Sequence, residues 1–99
     1  MNMKTNDTAG ADLNALRVFA AVADAGGITA GAELLGLSKA RVSIGVSRLE
    51  ALLGVSLFSR TTRRVALTDA GQSLYAQAVP PLRDLQDALA QAQAGQGAA

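Results

Sequence analysis

Residues 29–53 read TAGAELLGLSKARVSIGVSRLEALL, a stretch that holds two helical patterns separated by a glycine. The first pattern begins near Thr29 and stops at Gly36, since glycine commonly ends a helix. Ser38 is a suitable N-cap for the second pattern. The apolar positions of that second pattern recur at helical spacing, and they are Val42, Val46, Leu49 and Leu53. Two such patterns joined by a short, glycine-containing turn are typical of a helix-turn-helix.

One further helix is predicted before this pair. Asp12 is a plausible N-cap, and Gly26-Gly27 ends the pattern. The apolar face of this helix is predicted to comprise Leu13, Leu16, Phe19, Ala20 and Ala23.

The sequence after the pair changes from helical to strand-like spacing and back. Two short strands near residues 57–59 and 65–67 could flank a turn at 61–63, which predicts a small hairpin. Thr68 is a candidate cap for a long last helix. Pro80-Pro81 lies inside that helix, and because proline removes a backbone donor we expect a kink or a break there.

The order of these elements predicts a mainly α fold. It is a winged helix-turn-helix with a small β-hairpin wing and a long C-terminal linker or dimerisation helix. We expect a disordered lead over residues 1–11, the winged domain over 12–68, the linker helix over 69–93 and a flexible tail over 94–99.

Positive charge is concentrated in the middle of the chain. Residues 38–64 hold six basic residues against Glu50 alone, a net charge of +5. Residues 1–37 hold two basic and four acidic residues, and residues 65–99 hold one basic and three acidic, so each flank carries −2. Such clustering is typical of a surface that binds a polyanion, and an ordinary solvated face is the alternative.

Composition argues against several classes of function. The 99 residues contain no cysteine and no histidine, which removes the usual zinc ligands and the usual general base. We therefore expect no metal, no cofactor and no enzymatic activity. Apolar runs are too short to span a membrane, and Met1–Gly10 is unlike a signal peptide, so a cytoplasmic protein with no membrane partner is expected.

An ordered set of short motifs resembles the LysR-type transcriptional regulators from about Leu13 to Leu89. The longest of these motifs are Leu13-Asn14-Ala15-Leu16-Arg17-Val18-Phe19, Ala32-Glu33-Leu34-Leu35-Gly36-Leu37-Ser38, Arg60-Thr61-Thr62-Arg63 and Leu67-Thr68-Asp69-Ala70-Gly71. The resemblance implies a winged helix-turn-helix that dimerises through its last helix. It also implies binding to interrupted inverted repeats of double-stranded DNA near promoters.

The chain departs from the family pattern at several points. Full-length relatives carry an effector-binding domain after the linker helix, and this sequence has no small-molecule effector domain, which suggests an isolated domain or a truncated regulator. Ile44-Gly45 stands where relatives usually have a long polar or basic pair, and Gly31 stands where alanine is commoner. The base preference of relatives therefore does not carry over.

The predicted DNA-binding surface has three parts. They are the outward face and first turn of the second helix of the helix-turn-helix, the start of its first helix, and the hairpin wing. A recognition helix reads base edges in the major groove, while arginines in a wing suit a minor groove or phosphates. Arg48 could instead pair with Glu50, and Arg60 could pack structurally. The predicted contacts are Thr29, Ser38, Lys39, Ala40, Arg41, Ser43, Ile44, Ser47, Arg48, Arg60, Thr62, Arg63 and Arg64.

An apolar stripe along the last helix predicts a homodimer, because so small a domain has little of its own chain to cover it. The predicted dimerisation residues are Leu74, Ala78, Leu82, Leu85 and Leu89. Beside sequence-specific DNA binding, the alternative function is a winged-helix protein-interaction or dominant-negative dimerisation module.

Overall fold

The computed structural model describes residues 13–60 and 65–98, which form four helices and a two-stranded antiparallel hairpin. In chain order these elements are α1 (Leu13–Ala25), α2 (Ile28–Leu35), α3 (Lys39–Leu53), β1 (Phe58–Arg60), β2 (Val65–Leu67) and α4 (Asp69–Ala98). This architecture confirms the predicted winged helix-turn-helix. The proposed Asp12 cap and the turn at 61–63 lie outside the described residues.

The helix-turn-helix is delimited by the residues that the sequence indicated. Gly36 ends α2 in the left-handed conformation at φ 69°, which glycine adopts without steric strain. Ser38 caps α3, and its hydroxyl oxygen accepts a hydrogen bond of 3.1 Å from the backbone N–H of Arg41. These two residues fix where α2 stops and where α3 starts.

A single core holds α1, α3 and the hairpin together. Phe19 of α1 is fully buried, and its ring lies 5.4 Å from that of Phe58. The buried face of α3 is Val42, Val46 and Leu49, as the spacing predicted. Two predicted core residues are wrong, because Leu13 is 52% and Leu53 is 38% exposed at the outer ends of their helices.

The hairpin is short and pairs in antiparallel register. Phe58 lies opposite Leu67, and Arg60 lies opposite Val65. The first strand begins one residue later than predicted, because Leu57 is wholly buried in the core and precedes the ladder.

The last helix is longer than predicted. It is continuous through Pro80 and Pro81, so of the predicted kink or break the break is wrong. Val79 and Leu82 on either side are buried against Ala20 of α1, while the two prolines themselves are exposed. The helix also passes the expected end at residue 93 and reaches Ala98, since alanine and glutamine favour helix over most of that segment.

Within the described residues, no single helix is both long and apolar enough to cross a membrane. Only α1 and α2 taken together have that length and composition, and they meet at an angle of 119°.

Candidate nucleic-acid interface

The outward face of α3 is exposed, as expected for a recognition helix. Ile44 is 61% exposed at the centre of this face. Ser43 is half-buried at its edge. Thr29, at the start of α2, is also exposed. The remaining predicted contacts on and beside α3 are all exposed, and they are Ser38, Lys39, Ala40, Arg41, Ser47 and Arg48.

The hydroxyl of Ser38 has two separate uses. Its oxygen accepts from the Arg41 N–H, which orients the first turn of α3. Its own proton remains available to donate to an acceptor such as a phosphate oxygen. Ser38 and Lys39 thus place one neutral and one charged donor at the start of α3.

Gly45 faces the protein rather than the solvent. A Cβ at this position would lie 3.3 Å from the Cγ1 of Val18 on α1, which is tighter than ordinary contact. A side chain at this position would press on α1, so Gly45 permits the close packing of α3 against α1. Gly31 of α2 acts similarly one turn further along α1, because its Cβ would lie 3.0 Å from the Cα of Val22.

A hydrogen-bonded carboxylate joins α3 to the hairpin. The Oε2 of Glu50 accepts from the backbone N–H of Leu57 at 2.8 Å and from that of Phe58 at 3.3 Å. From the sequence, Glu50 was expected only as an ion-pair partner for Arg48. Within the described residues, no ion pair joins Arg48 to Glu50. The available signal was a carboxylate in the last turn of a helix, followed by a short loop with free N–H groups.

The other side of the hairpin is held by the start of α4. The Thr68 hydroxyl donates to the Ser56 carbonyl at 2.6 Å and accepts from the Gly71 N–H at 3.0 Å, which confirms Thr68 as a cap. Gly71 lies so close to the chain before β1 that a Cβ would be 2.2 Å from the Leu57 carbonyl oxygen. Arg60 belongs to β1, whereas Thr62, Arg63 and Arg64 lie outside the described residues.

The linker helix is fastened to α1 by a polar cluster. The Tyr75 hydroxyl donates to Oδ1 of Asp24, and Nη2 of Arg83 donates to Oδ2 of the same carboxylate at 2.9 Å. The hydrogen bond to Asp24 raises the pKa of Tyr75, and partial desolvation adds to the effect. This cluster sets the direction in which α4 leaves the winged domain.

The predicted dimerisation stripe divides into two parts. Leu82 is 8% exposed and packs with Val79 against Ala20 of its own chain, so its assignment to a partner-facing seam is wrong. Leu74 and Ala78 are half-buried, and Leu74 packs against the main core. Leu85 and Leu89 are 51% and 71% exposed, and these two leucines remain free to meet a partner.

Residues 13–72 match the family model for bacterial regulatory helix-turn-helix proteins of the lysR family. The chain belongs to the LysR family. Its sequence is 48% identical over 86 residues to the HTH-type transcriptional regulator PtxR of Pseudomonas aeruginosa, a match that covers 87% of this chain and 28% of PtxR. The chain thus spans little more than a quarter of that relative's length.

Solved structures of LysR-type DNA-binding domains have the same fold. The CbnR domain in its DNA complex is 32% identical with a TM-score of 0.72, and the match covers 85% of this chain and 97% of that one. The BenM domain bound to the catB site 1 DNA is 28% identical with a TM-score of 0.74, over 82% of this chain and 90% of that one. The family consists of transcriptional regulators rather than enzymes, and the alternative of a pure protein-interaction module is not favoured.

Proposed function

We propose that this domain binds double-stranded DNA sequence-specifically, with α3 in the major groove and the hairpin wing at the adjacent minor groove. The observation that carries the proposal is the division of α3 into a buried apolar face and an exposed face. That exposed face presents Arg41, Ile44, Ser47 and Arg48 together. A helix with such a face fits a major groove, where base edges differ in their donors, acceptors and methyl groups.

The domain acts as a homodimer on an interrupted inverted repeat in the cytoplasm of a bacterium. Exposed Leu85 and Leu89 on α4 supply apolar surface for association. Two recognition helices related by a two-fold axis would contact two half-sites of a palindromic site.

Selection of bound sequences from a random duplex pool tests this proposal and supplies the operator. We expect an enriched motif with two-fold symmetry, and binding that weakens steeply with salt because several phosphates are contacted. A scrambled duplex of equal length is the control for specificity. Failure to enrich any motif, together with salt-independent association between chains, would favour the interaction module instead.

A further inference from the structure

A groove of about 480 Å³ lies between α1 and α3, beside the exposed face of the recognition helix. Ala15 and Val18 of α1 and Gly45 of α3 are among the residues that line it. Three arginines line it, Arg17 from α1 and Arg41 and Arg48 from α3.

These three arginines have no counter-charge in the groove. No acidic residue lies among its described lining residues. Within residues 13–60 and 65–98 none of the three forms an ion pair. Asp24, two turns beyond Arg17 on α1, is engaged through both carboxylate oxygens by Tyr75 and Arg83. Like charges held in one concavity create a potential that attracts an anion.

The groove borders the base-reading face of α3. Arg41, Ile44, Gly45 and Arg48 recur at spacings of three and four residues, so they form one stripe along the helix, and that stripe faces the groove. When an α-helix occupies a major groove about 12 Å wide, its flanks lie against the phosphate rows on either side. The α1–α3 groove occupies such a flank.

We propose that this groove binds a backbone phosphodiester of the DNA, and that Arg17 of α1 is a phosphate ligand outside the helix-turn-helix. The inference rests on the proposed function, because it requires α3 in the major groove. Guanidinium groups suit this ligand, since their planar fork matches two phosphate oxygens. Arg17 positions α3 along the duplex and does not itself distinguish bases.

The test compares the Arg17→Gln and Arg17→Lys variants with the wild type on the selected operator and on a scrambled duplex. Loss of one charged phosphate contact should weaken binding of both duplexes by a similar factor, about tenfold. The slope of log affinity against log salt should fall by about one. Arg17→Lys keeps the charge and should retain most of the slope. Circular dichroism shows whether each variant is folded.

A second measurement locates the phosphate. Neutral methylphosphonate groups are placed one at a time along the operator backbone. One position per half-site should weaken the wild type strongly and Arg17→Gln less, because the variant has already lost one of the contacts to that phosphate while Arg41 and Arg48 remain. If Arg17→Gln is unfolded, Arg17→Lys is used instead. The methylphosphonate at that position should then reduce the affinity of Arg17→Lys less than it reduces the affinity of the wild type.

The outcomes separate this inference from the proposed function. A wild type that binds no duplex contradicts the proposed function. A wild type that binds DNA, with unchanged affinity and slope in Arg17→Gln, overturns the phosphate site alone. Loss of base preference in a folded Arg17→Gln also overturns it. If inorganic phosphate saturates the groove and competes with the operator for it, the ligand of the groove is a free anion and the proposed DNA phosphate site is overturned.

Discussion

Glu50 in the last turn of α3 and Leu57 just before β1 are joined by a 2.8 Å hydrogen bond from the Leu57 N–H to the Glu50 carboxylate. The same oxygen also accepts from Phe58, so one side chain satisfies two consecutive backbone donors. Charge-assisted bonds of this kind are stronger than neutral ones. The Glu50 carboxylate therefore adds a polar connection between α3 and the hairpin to the apolar core that they share.

Replacement of Glu50 tests this coupling. Glu50→Ala should lower the free energy of unfolding by about 1–3 kcal/mol, because two part-buried N–H groups lose their acceptor. Glu33→Ala, at an exposed acidic position on α2, is the matched control and should change stability by less than about 0.5 kcal/mol. Urea denaturation gives both values. Equal effects of the two substitutions would show that the carboxylate does not hold the wing.

Gly71 should tolerate no side chain. Gly71→Ala places a Cβ 2.2 Å from the Leu57 carbonyl oxygen, so α4 must shift away from the hairpin. We expect a destabilisation of about 1–3 kcal/mol or more, as for other overpacked sites. Gly95→Ala in the same helix meets nothing within 4 Å and should be neutral or stabilising by up to about 1 kcal/mol. Thermal denaturation of both variants separates the effect of the steric clash at Gly71 from the effect of helix propensity. An unaltered melting temperature in Gly71→Ala would show that the clash does not occur.

Tyr75 supplies a spectroscopic probe of the linker attachment, because the chain has one tyrosine and no tryptophan. Its pKa is raised above the usual 10.0 by the hydrogen bond to Asp24. Since the folded pKa exceeds the unfolded one, the stability from this group is fully present below pH 10 and is lost as pH rises through the folded pKa.

Phenolate absorbance measures this pKa directly. Asp24→Asn should lower it, because the accepting carboxylate and its negative charge are both removed. The Tyr75→Phe variant should lack the wild type's loss of stability above pH 10. An Asp24→Asn titration curve that coincides with the wild type's would show that the two side chains do not interact in solution.

The exposed leucines of α4 should mediate dimerisation. Leu85→Asp combined with Leu89→Asp should give a folded monomer, since charges would replace exposed apolar groups that the proposed dimer would bury. Leu82→Ala is the contrasting variant and should reduce stability by about 2–5 kcal/mol, because Leu82 packs within its own chain. Sedimentation distinguishes the two effects. A wild type that sediments as a monomer at concentrations of tens of micromolar would contradict the dimer.

Local signals in the sequence predicted the helix boundaries well, because caps act within a few residues. Ser38 and Gly36 delimit the turn through contacts no more than a few positions away. Tertiary contacts were missed. Leu82 has the spacing of an exposed seam but is covered by Ala20, which is distant in sequence.

The candidate site shows the same division. The exposed arginines of α3 follow from helical spacing alone. The groove that includes Arg17 could not be predicted from helical spacing, because the groove forms only where α1 packs against α3 at Gly45. The role of Glu50 in holding the hairpin was missed, since a carboxylate near a helix end does not by itself specify which backbone N–H groups of the following loop it will meet.

Ile44 should read a thymine methyl group in the operator. Its side chain is 61% exposed at the centre of the outward face of α3, where an apolar residue gains nothing from water. Thymine is the base that offers a methyl group in the major groove, and uracil differs from it only by lacking that group. At one position per half-site, the wild type should therefore bind uracil about fivefold more weakly than thymine, a difference of about 1 kcal/mol. Ile44→Ala should reduce this discrimination, whereas Ser47→Ala, one turn along the same face, should retain it. Titrations of operators with single uracil replacements measure the effect, and equal wild-type affinity at every position would rule out the methyl contact.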